Sequence, residues 1–257
     1  MTPTRVSVVI PVRDDAAALR TCLEHLARQR RAPWEVVVVD NGSRDDSAAV
    51  AEPFGARVVA EPRAGIPRAA AAGSDAARGE LIARCDADSR PPPGWLARLG
   101  DRLDGDPGLA AVTGWGAFYD LPRALRWPAE VGYLGAYYLL THLALGHTAL
   151  WGSNMGLRRS VWLEVRDAVH LEDPEIHDDM DLSFVLGPGR RIRFDPALRV
   201  GVSARSLRGR AQRRRRMQRA RRTLELNWAV RPPWQRWQQR LSRGRLTSRG
   251  RSRAAAG

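Results

Sequence analysis

The sequence contains no lysine, so all 42 of its basic residues are arginine. We attribute this bias to a GC-rich genome, and a lone arginine is therefore weak evidence for a phosphate-binding site. Only two cysteines occur, Cys22 and Cys85, in apolar contexts and without a CxxC or metal-ligand spacing. Their positions exclude a disulfide framework and favour buried thiols in a reducing compartment.

The chain also lacks an internal repeat, and we expect no signal peptide because Met1–Arg5 leads directly into a predicted strand. With 257 residues and 44% hydrophobic content, it can bury the core of one large α/β unit. We therefore expect a cytoplasmic protein with one domain at residues 1–205 and an extension at residues 206–257.

Apolar runs alternate with helical patterns in the first 90 residues. Strands are predicted at 6–12, 35–39, 58–60 and 81–85, with helices at 16–30 and 67–78 and a capped helix after residue 45. This alternation predicts an α/β fold with a doubly wound, mostly parallel sheet flanked by helices. Ligands of such sheets bind at the carboxyl ends of the strands.

Two carboxylates, Asp86 and Asp88, follow the fourth predicted strand. Side chains alternate along an extended backbone, so the two point the same way. Like charges at this spacing repel unless a cation lies between them, and a divalent metal that carries a diphosphate is a common reason for such a pair. The alternative is an exposed turn, where Asp-x-Asp also occurs by chance. Pro11 and Asp40 lie at neighbouring strand ends, which favours a site.

Five segments occur in an order that resembles the family 2 inverting glycosyltransferases of the GT-A fold. They are Val6–Val12, Val36–Ser43, Asp86–Asp88, Trp151–Arg159 and His177–Leu182. The resemblance covers roughly residues 5–205. It implies transfer of a sugar from a nucleotide-diphosphate donor to an acceptor hydroxyl, with inversion at the anomeric carbon.

The resemblance also implies roles for individual residues on the donor side. Asp88 would bind Mg²⁺ or Mn²⁺ directly, and Asp40 would hold the base or ribose, although a turn is the alternative interpretation of Asp40–Ser43. The implied donor-binding residues are Pro11, Val12, Asp40, Arg68 and Asp86.

On the acceptor side, Asp179 would be the general base that takes the proton of the attacking hydroxyl. Asp178 and Asp181 would orient substrate or cap the following helix. The implied acceptor-side residues are Trp151, Gly152, Asn154 and Asp178.

One departure from the family pattern concerns the donor. Ala70 and Ala71 stand where the family commonly has Arg and Asn, and Arg68 either substitutes or is a solvated helix residue. The departure leaves open a catalytically silent GT-A-like binding protein, held at a membrane by its basic tail. A nucleotidyltransferase is a third alternative, disfavoured because it gives Asp178 and Asp179 no role.

The charge is concentrated in the C-terminal extension. Residues 201–257 hold 18 arginines and one acid, Glu225, whereas the whole chain has a net charge of +14. A helix is predicted at about 211–230 and disorder at about 243–257. The helix carries an apolar stripe that suits an anionic membrane surface or packing on the catalytic domain, with nucleic acid the least favoured partner. The stripe consists of Met217, Ala220, Leu224 and Trp228.

Residues 131–151 contain no formally charged side chain and are long enough to span a bilayer. A span would put Asp88 and Asp179 on opposite sides of the membrane, so we expect instead a buried or interfacial helix beside the acceptor pocket. Together with the Trp-rich extension, this segment points to a lipid-linked acceptor and a peripheral location on the inner face of the cell membrane.

Overall fold

A computed structural model describes residues 3–242 of the chain, so the disorder predicted for residues 243–257 lies outside the described residues. Seven strands form one sheet in the order β3-β2-β1-β4-β6-β5-β7. The strands are β1 Val6–Val12, β2 Glu35–Asp40, β3 Arg57–Ala60, β4 Leu81–Arg84, β5 Leu109–Phe118, β6 Met155–Arg158 and β7 Arg191–Val202.

Helices cover both faces of this sheet. They are α1 Ala16–Ala27, α2 Ser47–Ala51, α3 Ile66–Ala76, α4 Trp95–Asp104, α5 Arg123–Glu130, α6 Ala136–Leu145, α7 Arg159–Val165, α8 Asp178–Leu186, α9 Arg210–Val230 and α10 at residues 233–242. The prediction of a doubly wound, mostly parallel sheet flanked by helices is confirmed.

Strand β6 runs antiparallel to its neighbours β4 and β5. Its first residue, Met155, is paired with Arg84 at the carboxyl end of β4. The segment Trp151–Asn154, which precedes β6, therefore lies beside Asp86 and Asp88. A local reversal of strand direction brings together two motifs that are about 65 residues apart.

The core forms on both faces of the sheet because the central strands are apolar at nearly every position. Along β1, Val8 and Ile10 pack with α1 and α4, whereas Val9 packs with α3 and residues of α7 and α8. This two-sided burial explains the continuous apolar run of a parallel strand.

A continuous helical segment spans residues 123–145, because α5 and α6 are joined by the π-helical turn Val131–Gly135. It ends at Gly146, whose φ of +78° terminates the helix. The expected helix in this region is therefore present but begins earlier and ends before Trp151. None of the helices in residues 3–242 combines the length and apolar character that crossing a bilayer requires.

Helix α9 packs on the domain. Three of its apolar side chains contact the small core cluster of Leu145, Ala149, Met180 and Phe184, whereas Met217 is exposed; the three are Ala220, Leu224 and Trp228. The Thr223 hydroxyl accepts a hydrogen bond of 2.9 Å from the backbone N–H of His177, and Asn227 donates one of 2.8 Å to Asp181. Of the alternatives given for this helix, the structure contains the one in which α9 packs on the domain.

The contact between β5 and β7 generates a stability prediction. At a register shift after Gly114, a Cβ added to that residue would lie 1.9 Å from the backbone oxygen of Leu198. Gly114→Ala should therefore lower the free energy of unfolding by about 1–3 kcal/mol, the usual range for overpacking. Urea unfolding at equilibrium measures the change.

Gly132→Ala is the matched control, because nothing lies within 4 Å of its added Cβ. Replacement of a helical glycine by alanine should leave stability unchanged or raise it by up to about 1 kcal/mol. Equal stability of Gly114→Ala and the original chain would contradict the close approach of β5 to β7.

Candidate active site

A cavity of about 480 Å³ opens at the carboxyl ends of β1 and β4, beside the start of β6 and the amino end of α8. Eight of the eleven site residues predicted from the sequence line it. They are Pro11, Val12, Asp86, Asp88, Trp151, Gly152, Asp178 and Asp179. The structure therefore brings the predicted metal-side and acceptor-side carboxylates into one space.

The other three predicted residues do not line this cavity. Asp40 accepts a hydrogen bond of 2.9 Å from the Ser43 N–H, which is the turn interpretation, and its neighbour Asn41 lines the cavity instead. Arg68 is buried and forms an ion pair with Glu172. Asn154 is fully buried, where its side chain accepts from the Trp95 indole at 2.8 Å and donates to two backbone oxygens. Asn154 thus fixes the backbone next to Gly152.

The pKa of Asp88 is raised well above its usual value. Burial, reinforced by the nearby charge of Asp86, raises its pKa from 3.8 to about 6. Arg205 opposes the rise, because its guanidinium lies 2.8 Å from Asp88 and 2.6 Å from Asp15. Asp86 is more exposed and accepts a hydrogen bond from the Ser153 hydroxyl. The pair is suited to a cation, since a positive charge would relieve both groups.

Asp178 and Asp179 begin α8 and line the same cavity as Asp88. Asp179 accepts hydrogen bonds from the backbone N–H groups of Gly152 at 2.9 Å and Met180 at 2.7 Å. Burial and the charge of Asp178 raise the pKa of Asp179, while His177, the Gly152 N–H and Arg84 oppose the rise. A raised pKa makes this carboxylate a stronger base than an exposed one.

Arg84, which the sequence analysis did not identify, lies beside Asp86, Asp178 and Asp179. It is 4% exposed, forms an ion pair with Asp178, and lies 3.9 Å from Asp86. Burial alone would lower its pKa, but the charges of Asp178 and Asp86 outweigh burial and raise it. A signal was available, because strand alternation puts residue 84 on the same side as residues 86 and 88.

The C-terminal extension also contributes cations to the cavity. Arg216 and Arg219 of α9 line it together with Arg205. The Arg216 guanidinium lies 4.9 Å from the Tyr133 ring centre, and its burial lowers its pKa although Asp86 opposes this. These side chains were predicted as part of a membrane or packing helix, and their place in the cavity was not anticipated.

The residues present fit a divalent metal that is completed by substrate. Among residues 3–242, no three His, Cys, Asp or Glu side chains cluster closely enough to hold an ion by themselves. Mg²⁺ in phosphate-transferring sites is commonly bound by one or two carboxylates, with water and substrate phosphates as the other ligands. Asp88 and Asp86 supply that donor set.

Comparison with known proteins decides the family. The model of the family described as "Glycosyl transferase family 2" matches residues 7–165, which is more than half of the chain. The chain belongs to this family. The match includes β1, the Asp86–Asp88 pair and β6, and it ends before α8.

Curated relatives include an uncharacterized glycosyltransferase of Mycobacterium tuberculosis, 40% identical over 109 residues, or 42% of this chain and 47% of that protein. An undecaprenyl-phosphate 4-deoxy-4-formamido-L-arabinose transferase of Pseudomonas paraeruginosa is 41% identical over 107 residues, or 38% of this chain and 32% of that one. This chain therefore matches less than half the length of these curated relatives.

Solved structures share the fold. A mannosyltransferase of Pyrobaculum calidifontis, in complex with GDP-Man and Mn²⁺, has a TM-score of 0.64 at 21% identity; the match covers 85% of this chain and 62% of that protein. Glucosyl-3-phosphoglycerate synthase of M. tuberculosis has a TM-score of 0.56 at 20% identity; the match covers 81% of this chain and 75% of that protein. The predicted GT-A fold is confirmed.

The raised pKa of Asp88 generates a prediction about pH. Between pH 3.8 and about 6 the folded chain holds a proton that the unfolded chain has released, so stability falls as the pH rises through this window. Asp88→Asn removes the buried charge and should raise stability at pH 7.5 by about 1–2 kcal/mol, less than the roughly 3 kcal/mol equivalent to the full shift because Arg205 loses a partner. The gain should disappear near pH 4, as measured by thermal unfolding.

Asp195→Asn is a control of opposite sign. Burial would raise the pKa of Asp195, but hydrogen bonds from Arg98 and Arg102 lower it to about 2. Its stabilising contribution is complete above pH 3.8 and is lost as the pH falls through about 2, so the substitution should destabilise the chain at pH 7.5. A loss of stability in both variants would contradict the strain at Asp88.

Proposed function

We propose that this chain transfers a sugar from a nucleoside diphosphate donor to an acceptor hydroxyl, with inversion, assisted by a divalent metal and by Asp179 as general base. One observation carries the proposal. Asp88, which follows β4, and Asp179, which begins α8, line a single cavity at the carboxyl ends of the sheet strands. A one-step displacement requires a metal-side carboxylate and a base in the same cavity.

On the donor side, the chain offers positive charge to a diphosphate. Arg205 pairs with Asp88, Arg216 is within reach of the charge of Asp86, and Arg219, which pairs with Glu175, lines the same cavity. When bound at Asp88, Mg²⁺ or Mn²⁺ would neutralise charge on the departing diphosphate. The P. calidifontis mannosyltransferase, whose structure is a complex with GDP-Man and Mn²⁺, supports this role by its shared fold.

On the acceptor side, Asp179 accepts the proton of the hydroxyl. As the hydroxyl oxygen bonds to the anomeric carbon, the bond from that carbon to the diphosphate oxygen breaks and its electron pair leaves with the diphosphate. Attack from the face opposite the leaving group inverts the anomeric carbon. The Gly152 N–H fixes one oxygen of Asp179, so the base is oriented before the acceptor binds.

We also propose a lipid-linked acceptor and a peripheral location at the inner face of the cell membrane. The P. paraeruginosa relative, an undecaprenyl-phosphate transferase by name, supports this acceptor class over its shared 38% of the chain. Membrane contact through residues 206–257 stays a prediction, with α9 itself packed on the domain.

A second candidate is a silent binding protein of the same fold. Ala70 and Ala71, together with the Arg205–Asp88 ion pair of 2.8 Å, favour it because the metal-side carboxylate already has a cationic partner. Donor binding without turnover would be its signature.

Asp179→Asn tests the base. The amide keeps the size of the side chain but accepts no proton, so turnover should fall by about 10²-fold or more while donor affinity is preserved. The donor is first identified by thermal-shift screening of nucleoside diphosphate sugars with Mn²⁺. Affinity is then measured by calorimetry and turnover by release of nucleoside diphosphate.

Asp178→Asn is the comparison variant. It leaves the base in place but removes the ion pair with Arg84. Its free energy of unfolding should therefore fall below that of the original chain, while its turnover should fall less than that of Asp179→Asn. Equal turnover in Asp179→Asn and the original chain would remove the base from this position. Tight donor binding with no turnover in the original chain would favour the silent homologue.

Asp88→Ala tests the metal. Without this carboxylate the cation that bridges to the diphosphate loses its protein ligand, so the Mn²⁺-dependent part of the donor affinity should disappear. Calorimetry of a nucleoside diphosphate with Mn²⁺ and with EDTA measures that part. Donor affinity of the original chain that EDTA leaves unchanged would refute the metal role.

A further inference from the structure

Helix 123–145 exposes six large apolar side chains, which we call the apolar face. Leu139, Leu140 and Leu143 are 61%, 63% and 54% exposed, and Trp127 is 70% exposed. The face consists of Leu125, Trp127, Val131, Leu139, Leu140 and Leu143. Isolated exposed apolar residues are common, but a row of them along one helix marks a contact surface.

The opposite side of the same helix is also apolar and is fixed to the domain. Leu134 and Leu145 are fully buried. The hydroxyl of Tyr137 donates to the Leu150 oxygen and that of Tyr138 to the Gly114 oxygen, both at 2.6 Å. The helix therefore cannot rotate to bury its outer leucines. A helix that is apolar all round is normally covered on both sides.

Helix α10 extends the apolar face at the carboxyl end of α6. The Trp237 indole donates to the Leu143 oxygen at 2.9 Å, and Arg240 donates to the Gly146 oxygen at 2.6 Å. These contacts leave Trp234 and Leu241 of α10 exposed by 64% and 56%. Exposed tryptophan next to arginine is typical of side chains that lie at the headgroup layer of a bilayer.

The exposed charges of the two helices are all positive. Glu130 is the single carboxylate in residues 123–145 and 231–242, and it is buried against Arg199 at 2.8 Å. Arg123 at one end and Arg231 and Arg240 at the other are exposed. An apolar centre with cationic ends complements an anionic lipid surface.

We propose that the apolar face and α10 bind an anionic phospholipid bilayer, with helix 123–145 lying in the plane of the interface. A protein partner would be expected to meet free polar groups that fix its register. Between Arg123 and α10 the partly exposed Arg126 and His142 are already hydrogen-bonded within the chain, to the Tyr119 and Leu121 oxygens and to Arg240 respectively. A fluid lipid surface requires no such groups.

This surface deepens the proposed function, on which the acceptor part of the inference rests. Tyr133 lines the cavity, and Val131 and Gly132, directly before it, are exposed. The helix that would touch the bilayer therefore also forms a wall of the active site. The head group of a lipid-linked acceptor would then enter the cavity while its lipid tail stays in the membrane.

Vesicle partitioning of the full chain tests the proposal. Phosphatidylcholine vesicles with phosphatidylglycerol should bind the original chain and pure phosphatidylcholine should bind it less. The triple variant Leu139→Gln, Leu140→Gln, Leu143→Gln should lower the partition coefficient by about 10-fold or more, because each leucine loses apolar transfer free energy. The single variants, with circular dichroism, serve if the triple variant does not fold.

Leu163→Gln is the matched control, since it replaces an exposed apolar residue outside both the apolar face and residues 206–257; it should bind like the original chain. Equal binding by the triple variant, or an equal loss with Leu163→Gln, would overturn the proposal. So would light scattering that shows a dimer which only the triple variant disrupts, because the occupant would then be a second copy. Turnover with retained donor binding but no vesicle binding would refute this surface alone and leave the proposed function standing.

Discussion

The structure depends on the balance of charge in one cavity. Five carboxylates, Asp15, Asp86, Asp88, Asp178 and Asp179, line a space of about 480 Å³. Arg84 compensates Asp86, Asp178 and Asp179 from inside the protein, where removal of one partner would leave an uncompensated charge, and Arg205 pairs with Asp15 and Asp88. The compensation is incomplete, because the pKa values of Asp88 and Asp179 stay raised. Under the proposed function, a cation at Asp88 and a proton at Asp179 would relieve this charge.

This balance also explains why the extension after residue 205 belongs with the site. Arg205 pairs with Asp88, and α9 brings Arg216 and Arg219 to the same cavity. Thr223 and Asn227 anchor α9 to residues at the start of α8. In the sequence these arginines resemble a nonspecific basic tail. In the structure, Arg205 pairs with Asp88, and Arg216 and Arg219 lie in the cavity.

Much of the site was predictable, because strand ends and side-chain alternation are local properties. They predicted the sheet and the edge at which ligands bind, whereas the place of Asp179 beside Asp86 and Asp88 followed from the family resemblance. Asn154 and Arg68 were harder, because only tertiary packing shows that the polar ends of these side chains point into the protein. The position of α9 could not be predicted for the same reason. A helix with arginines on most faces gives no local signal for which arginines face a cavity. Arg84 could have been found by the alternation that identified Asp86.

The central claim is that the donor diphosphate binds between Asp88 and the arginines of the extension, in the cavity that Asp179 also lines. A crystal structure with Mn²⁺ and a nucleoside diphosphate, using the anomalous signal of manganese, tests this most directly. The account predicts one manganese peak within about 2.0–2.6 Å of an Asp88 oxygen, the range of oxygen ligands to such ions, with the diphosphate on the side of Arg205 and Arg216. A peak or a diphosphate elsewhere, with Asp88 still paired only with Arg205, would contradict it.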